Sequence, residues 1–397
     1  MFVYLLTGLT CMLWIKFLRL FDTASKPRLY HSGSHFTKEV ISRCASFLKV
    51  YHPPMFWGKC GHIQTAIYGK LGRINPPTPR GTRHMITMSS GETVTYDVFQ
   101  PSQKNKFVER CTVLVCPGIC NSSEKKYIRT FVQYAVEKGY HLAVLNHIGV
   151  LPSVKLTSPK IFTYGETKYF ASMADEVKRK NPSSTFIIVG FSMGGNIIAR
   201  YLGEDKSRQE SVLCALSLCQ GYDGLRSTTA LNQGFRKIYS YLISLNFKKT
   251  LKPHWRELFH VQDDEKVRSY DENKVKFATS MYEIEDGLLR HFGGFSSRDA
   301  YMGECGCADV IDNIDIPILL LNSEDDPLVV PDVHDVPMKY CRKKDNALFL
   351  TTKHGGHLGF YQGSWYWPND ITLLENFIME YIEAVLDITT SSEPSQF

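Results

Sequence analysis

A serine flanked by glycines, Gly190-Phe191-Ser192-Met193-Gly194, directly follows the apolar, β-branched run Thr185-Phe186-Ile187-Ile188-Val189. Set between a strand and a helix, Gly-x-Ser-x-Gly is a nucleophile elbow. The chain reverses so sharply that the serine takes a strained backbone geometry, and the glycines make room for it. The hydroxyl then stands exposed at the carboxyl edge of a sheet. Residues 195–202 have helical spacing, so the free N–H groups at the start of that helix would face a developing oxyanion.

A serine hydroxyl is a weak nucleophile until a base takes its proton, so a histidine and an acid are required further along, in the order Ser, Asp, His. Pro317-Ile318-Leu319-Leu320-Leu321-Asn322 reads as a buried strand running into Ser323-Glu324-Asp325-Asp326-Pro327. Proline fixes the turn after Asp326, which makes Asp326 the expected charge partner, with Asp325 the alternative and Glu324 a third choice. A last strand, residues 347–352, leads into Lys353-His354-Gly355-Gly356-His357. His357 is the expected base, and His354 is expected to shape the loop. No Cys, His or carboxylate cluster at ligand spacing accompanies the two histidines, so neither a metal nor an organic cofactor is expected. The oxyanion hole should combine the N–H of Met193, just after the nucleophile, with one from the loop after an earlier strand. That strand is Thr112-Val113-Leu114-Val115-Cys116, opening into Pro117-Gly118-Ile119-Cys120-Asn121. Ile119 is the expected donor there, and Cys120 the alternative.

These segments, together with Trp57-Gly58-Lys59-Cys60-Gly61-His62-Ile63-Gln64-Thr65-Ala66 and Lys126-Tyr127-Ile128-Arg129-Thr130-Phe131-Val132, resemble the abhydrolase domain-containing protein 2 group. That group is part of the AB hydrolase 4 family, which also holds the animal abhydrolase proteins 1 and 3 and the yeast medium-chain ethyl ester synthases. The likeness runs from about His52 to the last helix. It implies a membrane-associated serine hydrolase of monoacylglycerols and related acyl esters, with the family's triad falling on Ser192, Asp326 and His357. One departure is visible. No histidine here has an aspartate five places on, so the His-x-x-x-x-Asp box linked to acyl transfer is missing. An acyltransferase or ester synthase on the same serine remains the alternative enzyme, and a ligand-responsive binding protein on a hydrolase scaffold the alternative from another class.

At 397 residues and 43% hydrophobic content the chain can bury a full α/β core. The net charge of +6 is spread without a long basic tract, so no nucleic-acid partner is expected. One local excess stands out. Arg226, Arg236, Lys237, Lys248, Lys249, Lys252 and Arg256 face the single acid Glu257 and alternate with aromatic and aliphatic residues. This pattern suits a basic amphipathic helix touching an anionic bilayer, or a solvated cap helix packing its apolar side on the body. Residues 1–22 read as an uncleaved N-terminal membrane anchor, largely apolar to Phe21, with Lys16 and Arg19 near its end. By the positive-inside rule the charges after the apolar run place the catalytic part in the cytosol, whereas resemblance to type II membrane proteins implies the reverse. The eleven cysteines are an odd number, and Cys116, Cys214 and Cys219 fall in or beside buried strands. Asn121-Ser122-Ser123 is a glycosylation sequon beside the oxyanion loop and is read as incidental.

The elements that must carry these residues follow from periodicity. Residues 23–84 are expected to form an irregular, proline-bearing strap over the body. A hairpin follows at residues 85–99. Then strands ending at Cys116, Asn146, Phe191 and Leu218 alternate with helices near residues 124–138 and 167–180. Such alternation means an α/β-hydrolase fold, a mostly parallel sheet covered on both faces, here spanning residues 85–388. Between about 222 and 312 the alternation lapses into aromatic and basic helical segments, expected as a cap that forms the acyl pocket. A helix at 371–386 and a flexible tail at 389–397 close the chain.

Overall fold

Short apolar runs separated by helical segments assemble into one nine-stranded sheet in a computed structural model that describes residues 2–71, 78–103, 111–260 and 269–392. The strands are β1 (Arg28–Tyr30), β2 (Thr82–Thr87), β3 (Thr93–Phe99), β4 (Cys111–Cys116), β5 (His141–Asn146), β6 (Thr185–Phe191), β7 (Val212–Leu218), β8 (Ile318–Ser323) and β9 (Ala347–Thr352). Their order across the sheet is β1-β9-β8-β7-β6-β4-β5-β3-β2. The pairs from β5 through β4, β6, β7 and β8 to β9 are parallel, while β1, β2 and β3 join antiparallel at the two sides.

Because side chains alternate along a strand, each central strand feeds two cores. Leu114, Ile188, Leu320 and Phe349 pack on one face with the helices Lys168–Lys180, Met193–Glu204 and Asp335–Lys343. Val115, Val189, Leu321 and Leu350 pack on the other with Lys126–Glu137 and Leu373–Ser392. This is why β4, β6, β8 and β9 read as continuous apolar runs with no polar face.

Two expectations need correction here. The strap is not irregular: it supplies β1 at the sheet edge and the helices His35–Arg43, Ala45–Leu48 and Gly61–Leu71. The tail begins later than expected, because residues 389–392 continue the last helix, with the Thr389, Thr390 and Ser391 hydroxyls donating to carbonyls of the preceding turn. Residues 393–397 lie outside the described residues, as do Met1 and Pro76 and Pro77 of the strap.

The expectation of a membrane-spanning anchor is also corrected. The N-terminal helix Phe2–Leu18 has 17 residues, about 26 Å against a hydrocarbon core of about 30 Å, and it already includes Lys16. Among the described residues no helix is long and apolar enough to cross a membrane.

Between β7 and β8 the chain leaves the sheet for a set of helices, among them Gly224–Leu231, Lys237–Leu251 and Arg298–Cys305. The helix Lys237–Leu251 reaches the body at both ends. Phe247 packs against Phe162 at 5.2 Å between ring centroids, and Tyr239 stacks on His62 at 5.7 Å.

Candidate active site

Ser192 sits between the end of β6 and the helix Met193–Glu204 with φ 55° and ψ −122°, a left-handed geometry held by its N–H donating to the Leu218 carbonyl at 2.7 Å. The elbow closes so tightly that a Cβ on Gly194 would meet the Cys116 carbonyl oxygen at 2.0 Å, and one on Gly190 the Gly194 carbonyl oxygen at 2.4 Å. Strain gathers at this end of the sheet. Of the seven non-glycine residues with positive φ among those described, Cys120, Ser192, Cys219, Tyr222, Leu358 and Phe360 lie in loops just after β4, β6, β7 and β9.

From that elbow a hydrogen-bonded chain runs through three loops. The Ser192 hydroxyl lies 2.8 Å from His357 Nε2, and His357 Nδ1 lies 2.8 Å from Asp326 Oδ2. The Asp326 side chain is fully buried, and its other oxygen accepts the Leu328 and Val329 N–H groups at 2.7 and 3.0 Å. A carboxylate so held is fixed in place and stays an acceptor, so the imidazole is steered to carry its proton on Nδ1 and present Nε2 to the serine. The alternatives point elsewhere. Asp325 Oδ1 accepts from the Gly356 N–H at 2.8 Å, and Glu324 pairs with Arg28 at 2.8 Å near the surface. His354 is 1% exposed and lies 3.6 Å from Asp325.

The loop after β4 passes close to the serine: a Cβ on Gly118 would lie 3.2 Å from Ser192 Cβ. The Gly118 N–H is already taken by the Tyr127 hydroxyl at 3.0 Å. The N–H groups of Ile119 and Met193 have no protein acceptor among the described residues, so both are open to a ligand oxygen. Cys120 is buried with φ 57°, and burial pushes its thiol up to about 12. Asn121 Nδ2 donates to the same Tyr127 hydroxyl at 3.1 Å, so the sequon's amide is engaged inside the loop. The ten cysteines whose side chains are described are free and buried, as small hydrophobes are.

Several residues that hold this site follow from no spacing rule in the sequence. Thr65, 292 positions before His357, accepts the His357 N–H on its hydroxyl at 2.8 Å and donates to the Gly61 carbonyl at 2.7 Å. His147 is buried, bonds the Pro117 carbonyl at 2.8 Å, and is pushed down to about 4 by burial, which keeps it neutral and a donor. At the end of the N-terminal helix, Arg19 lies 4.0 Å from Asp325, and Asp22 lies 3.5 Å from Lys353 and 3.9 Å from His354. Tyr127 and Thr65 belong to the motif segments quoted above, but no spacing rule links them to the serine.

A cavity of about 450 Å³ adjoins the acid loop. Its walls include Phe17, His62, Phe235, Asp325, Asp326 and Pro327.

Comparison with known proteins agrees with this architecture. Residues 112–364 match the family described as alpha/beta hydrolase fold, a stretch that runs from β4 past β9. The mouse protein named monoacylglycerol lipase ABHD2 is 42% identical over 375 residues, covering 94% of this chain and 88% of the mouse protein. A zebrafish protein of the same name is 41% identical over 384 residues, covering 96% and 88%. Abhydrolase domain-containing protein 2 of Drosophila melanogaster is 35% identical over 389 residues, covering 97% and 96%. With the serine elbow, the sheet order and these relatives in agreement, the chain belongs to the α/β-hydrolase family, in the group of abhydrolase domain-containing protein 2.

Proposed function

We propose that this chain is a serine hydrolase that cleaves carboxylic esters of lipids, monoacylglycerols foremost, to fatty acid and alcohol through an acyl-serine intermediate. The observation that carries the reading is the unbroken chain from the Ser192 hydroxyl through His357 to the buried Asp326, with both links at 2.8 Å. Ser192 attacks the ester carbonyl while His357 Nε2 takes its proton. The N–H groups of Met193 and Ile119 receive the oxyanion, and His357 returns the proton to the departing alcohol. Water, deprotonated by the same imidazole, then attacks the acyl-serine and releases the fatty acid. No step needs a metal or an organic cofactor. The relatives named monoacylglycerol lipase support the substrate class.

Residues 85–388 are read as the hydrolase domain and 222–312 as its cap, with the helix Lys237–Leu251 walling the acyl pocket. Residues 23–71 complete the domain, since they supply β1 and Thr65. The substrate class and the exposed apolar residues of the N-terminal helix support association with a lipid surface.

Labelling by a fluorophosphonate probe, with hydrolysis of a panel of lipid esters, tests the reading. Ser192→Ala should abolish labelling and lower turnover by on the order of 10⁶ with the fold intact. Turnover above a tenth of the parent's would sink the assignment.

A further inference from the structure

Two consecutive peptide groups in the loop after β4 are held differently. The one between Pro117 and Gly118 is tied at both ends: its carbonyl oxygen lies 2.8 Å from the buried His147 Nε2, and its N–H donates to the Tyr127 hydroxyl at 3.0 Å. The next, between Gly118 and Ile119, is tied at one end only, where the Asn121 N–H donates to the Gly118 carbonyl at 3.2 Å. A trans peptide points its N–H opposite to its carbonyl, so the Ile119 N–H faces out of the turn. It does so beside the nucleophile, since a Cβ on Gly118 would lie 3.2 Å from Ser192 Cβ and 3.3 Å from the Tyr127 hydroxyl oxygen.

The tie at Tyr127 is more than a single hydrogen bond. Its hydroxyl also accepts from Asn121 Nδ2 at 3.1 Å, so both acceptor positions of the phenol are taken by this loop. Its ring, buried on the helix Lys126–Glu137, meets Phe191 edge-on at 5.6 Å between centroids, and Phe191 is the residue before Ser192. One side chain thus touches both the loop that offers an N–H and the elbow that carries the nucleophile. The loop needs such a hold. Cys120, next to Ile119, has φ 57°, a left-handed geometry that persists only where its surroundings over-determine it.

We propose that Tyr127 is a positioning residue for ester cleavage: its phenol locks the loop after β4 so that the Ile119 N–H stands ready for the oxyanion formed when Ser192 attacks. Donors fixed beforehand need no reorganisation as charge develops, and they act on the transition state rather than on the bound ester. Their loss falls on kcat and spares KM. The proposal rests on the reading of Ser192 as nucleophile with Ile119 in the oxyanion hole.

Tyr127→Phe keeps the ring and removes only the hydroxyl. On a soluble short-chain ester its kcat should fall about tenfold to a hundredfold, less than the loss of a whole oxyanion donor, with KM within about twofold of the parent's. The pH profile should keep its midpoint, because His357 and Asp326 are untouched. A trifluoromethyl ketone, whose adduct with Ser192 carries the same tetrahedral oxyanion, should bind more weakly by the factor lost in kcat/KM. Asn121→Ala removes one of the two donors and keeps the phenol, so it should lower kcat about threefold, and it tests the tie even if Tyr127→Phe fails to fold. In the doubly substituted chain the two losses should not multiply, because both act through one hydroxyl. A kcat loss below about fivefold in folded Tyr127→Phe, a loss confined to KM, or losses that multiply would overturn the proposal. So would an Asn121→Ala chain with the parent's kcat and inhibitor affinity. A parent that neither hydrolyses the ester nor takes a fluorophosphonate label would refute the enzymatic reading, and the proposal with it. Full activity in Tyr127→Phe beside an inactive Ser192→Ala would refute this proposal alone.

Discussion

Asp325 and Asp326 are neighbours in the chain and end in different networks. Asp326 turns under the imidazole, where it accepts two backbone N–H groups besides His357 Nδ1. Asp325 turns toward the backbone of the histidine loop and holds the Gly356 N–H. Asp326→Asn should therefore lower ester turnover by about 10⁴, through the wrong imidazole tautomer. Asp325→Asn leaves the tautomer alone and slackens the loop beside His357, which should cost about ten- to a hundredfold. Steady-state kinetics on a soluble ester separates the two, and equal losses would mean that both carboxylates serve one function. The sequence favoured Asp326 from the proline that follows it. It carried no sign of the task of Asp325, since that task depends on a glycine thirty-one positions away.

At the scale of elements, strands were legible and orientations were not. The six parallel strands and the hairpin strand β3 announce themselves by short, largely apolar runs between turn residues, so local chemistry suffices. The segment before them has no such period. Its helix Gly61–Leu71 and strand β1 exist because they lean on the histidine loop and on β9. Likewise the aromatic and basic pattern of the helix Lys237–Leu251 marks it as amphipathic, but only the folded chain shows which side faces out. This changes the expectation for the N-terminus. Its last residues reach the acid and histidine loops through Arg19 and Asp22, so they are more than a tether. Removing residues 1–15 should leave turnover of a soluble ester within about twofold. Removing residues 1–22 should lower it by about tenfold and reduce the melting temperature by a few degrees, about 2–4 °C per kcal/mol lost for a domain of this size. Equal activity of the two truncated forms would show that Arg19 and Asp22 do not steady the site.

The whole molecule is one sheet with a core on each face, and its stability should carry the mark of two histidines enclosed near the site. His147 is 3% exposed and His334 5%, and burial pushes each down to about 4, against the opposing pull of the Pro117 carbonyl on His147 and of Asp326, Asp332 and Asp335 on His334. In the unfolded chain both return to the ordinary value of about 6.5. Between those two values the unfolded state binds more protons than the folded one, so acid favours unfolding. The stability these residues permit is complete above about pH 6.5 and is lost as pH falls toward 4, by up to about 3 kcal/mol for each residue. The melting temperature should therefore be level above neutrality and fall steadily from about pH 6.5, before most carboxylates begin to titrate. His147→Gln keeps a donor for the Pro117 carbonyl and cannot be protonated, so its profile should fall about half as steeply; the same change at His334 should add to it. Differential scanning fluorimetry across pH 4.5 to 8 would decide, on about ten buffers. A parent profile flat over that range, or slopes that neither variant changes, would mean that these histidines meet solvent in the folded chain.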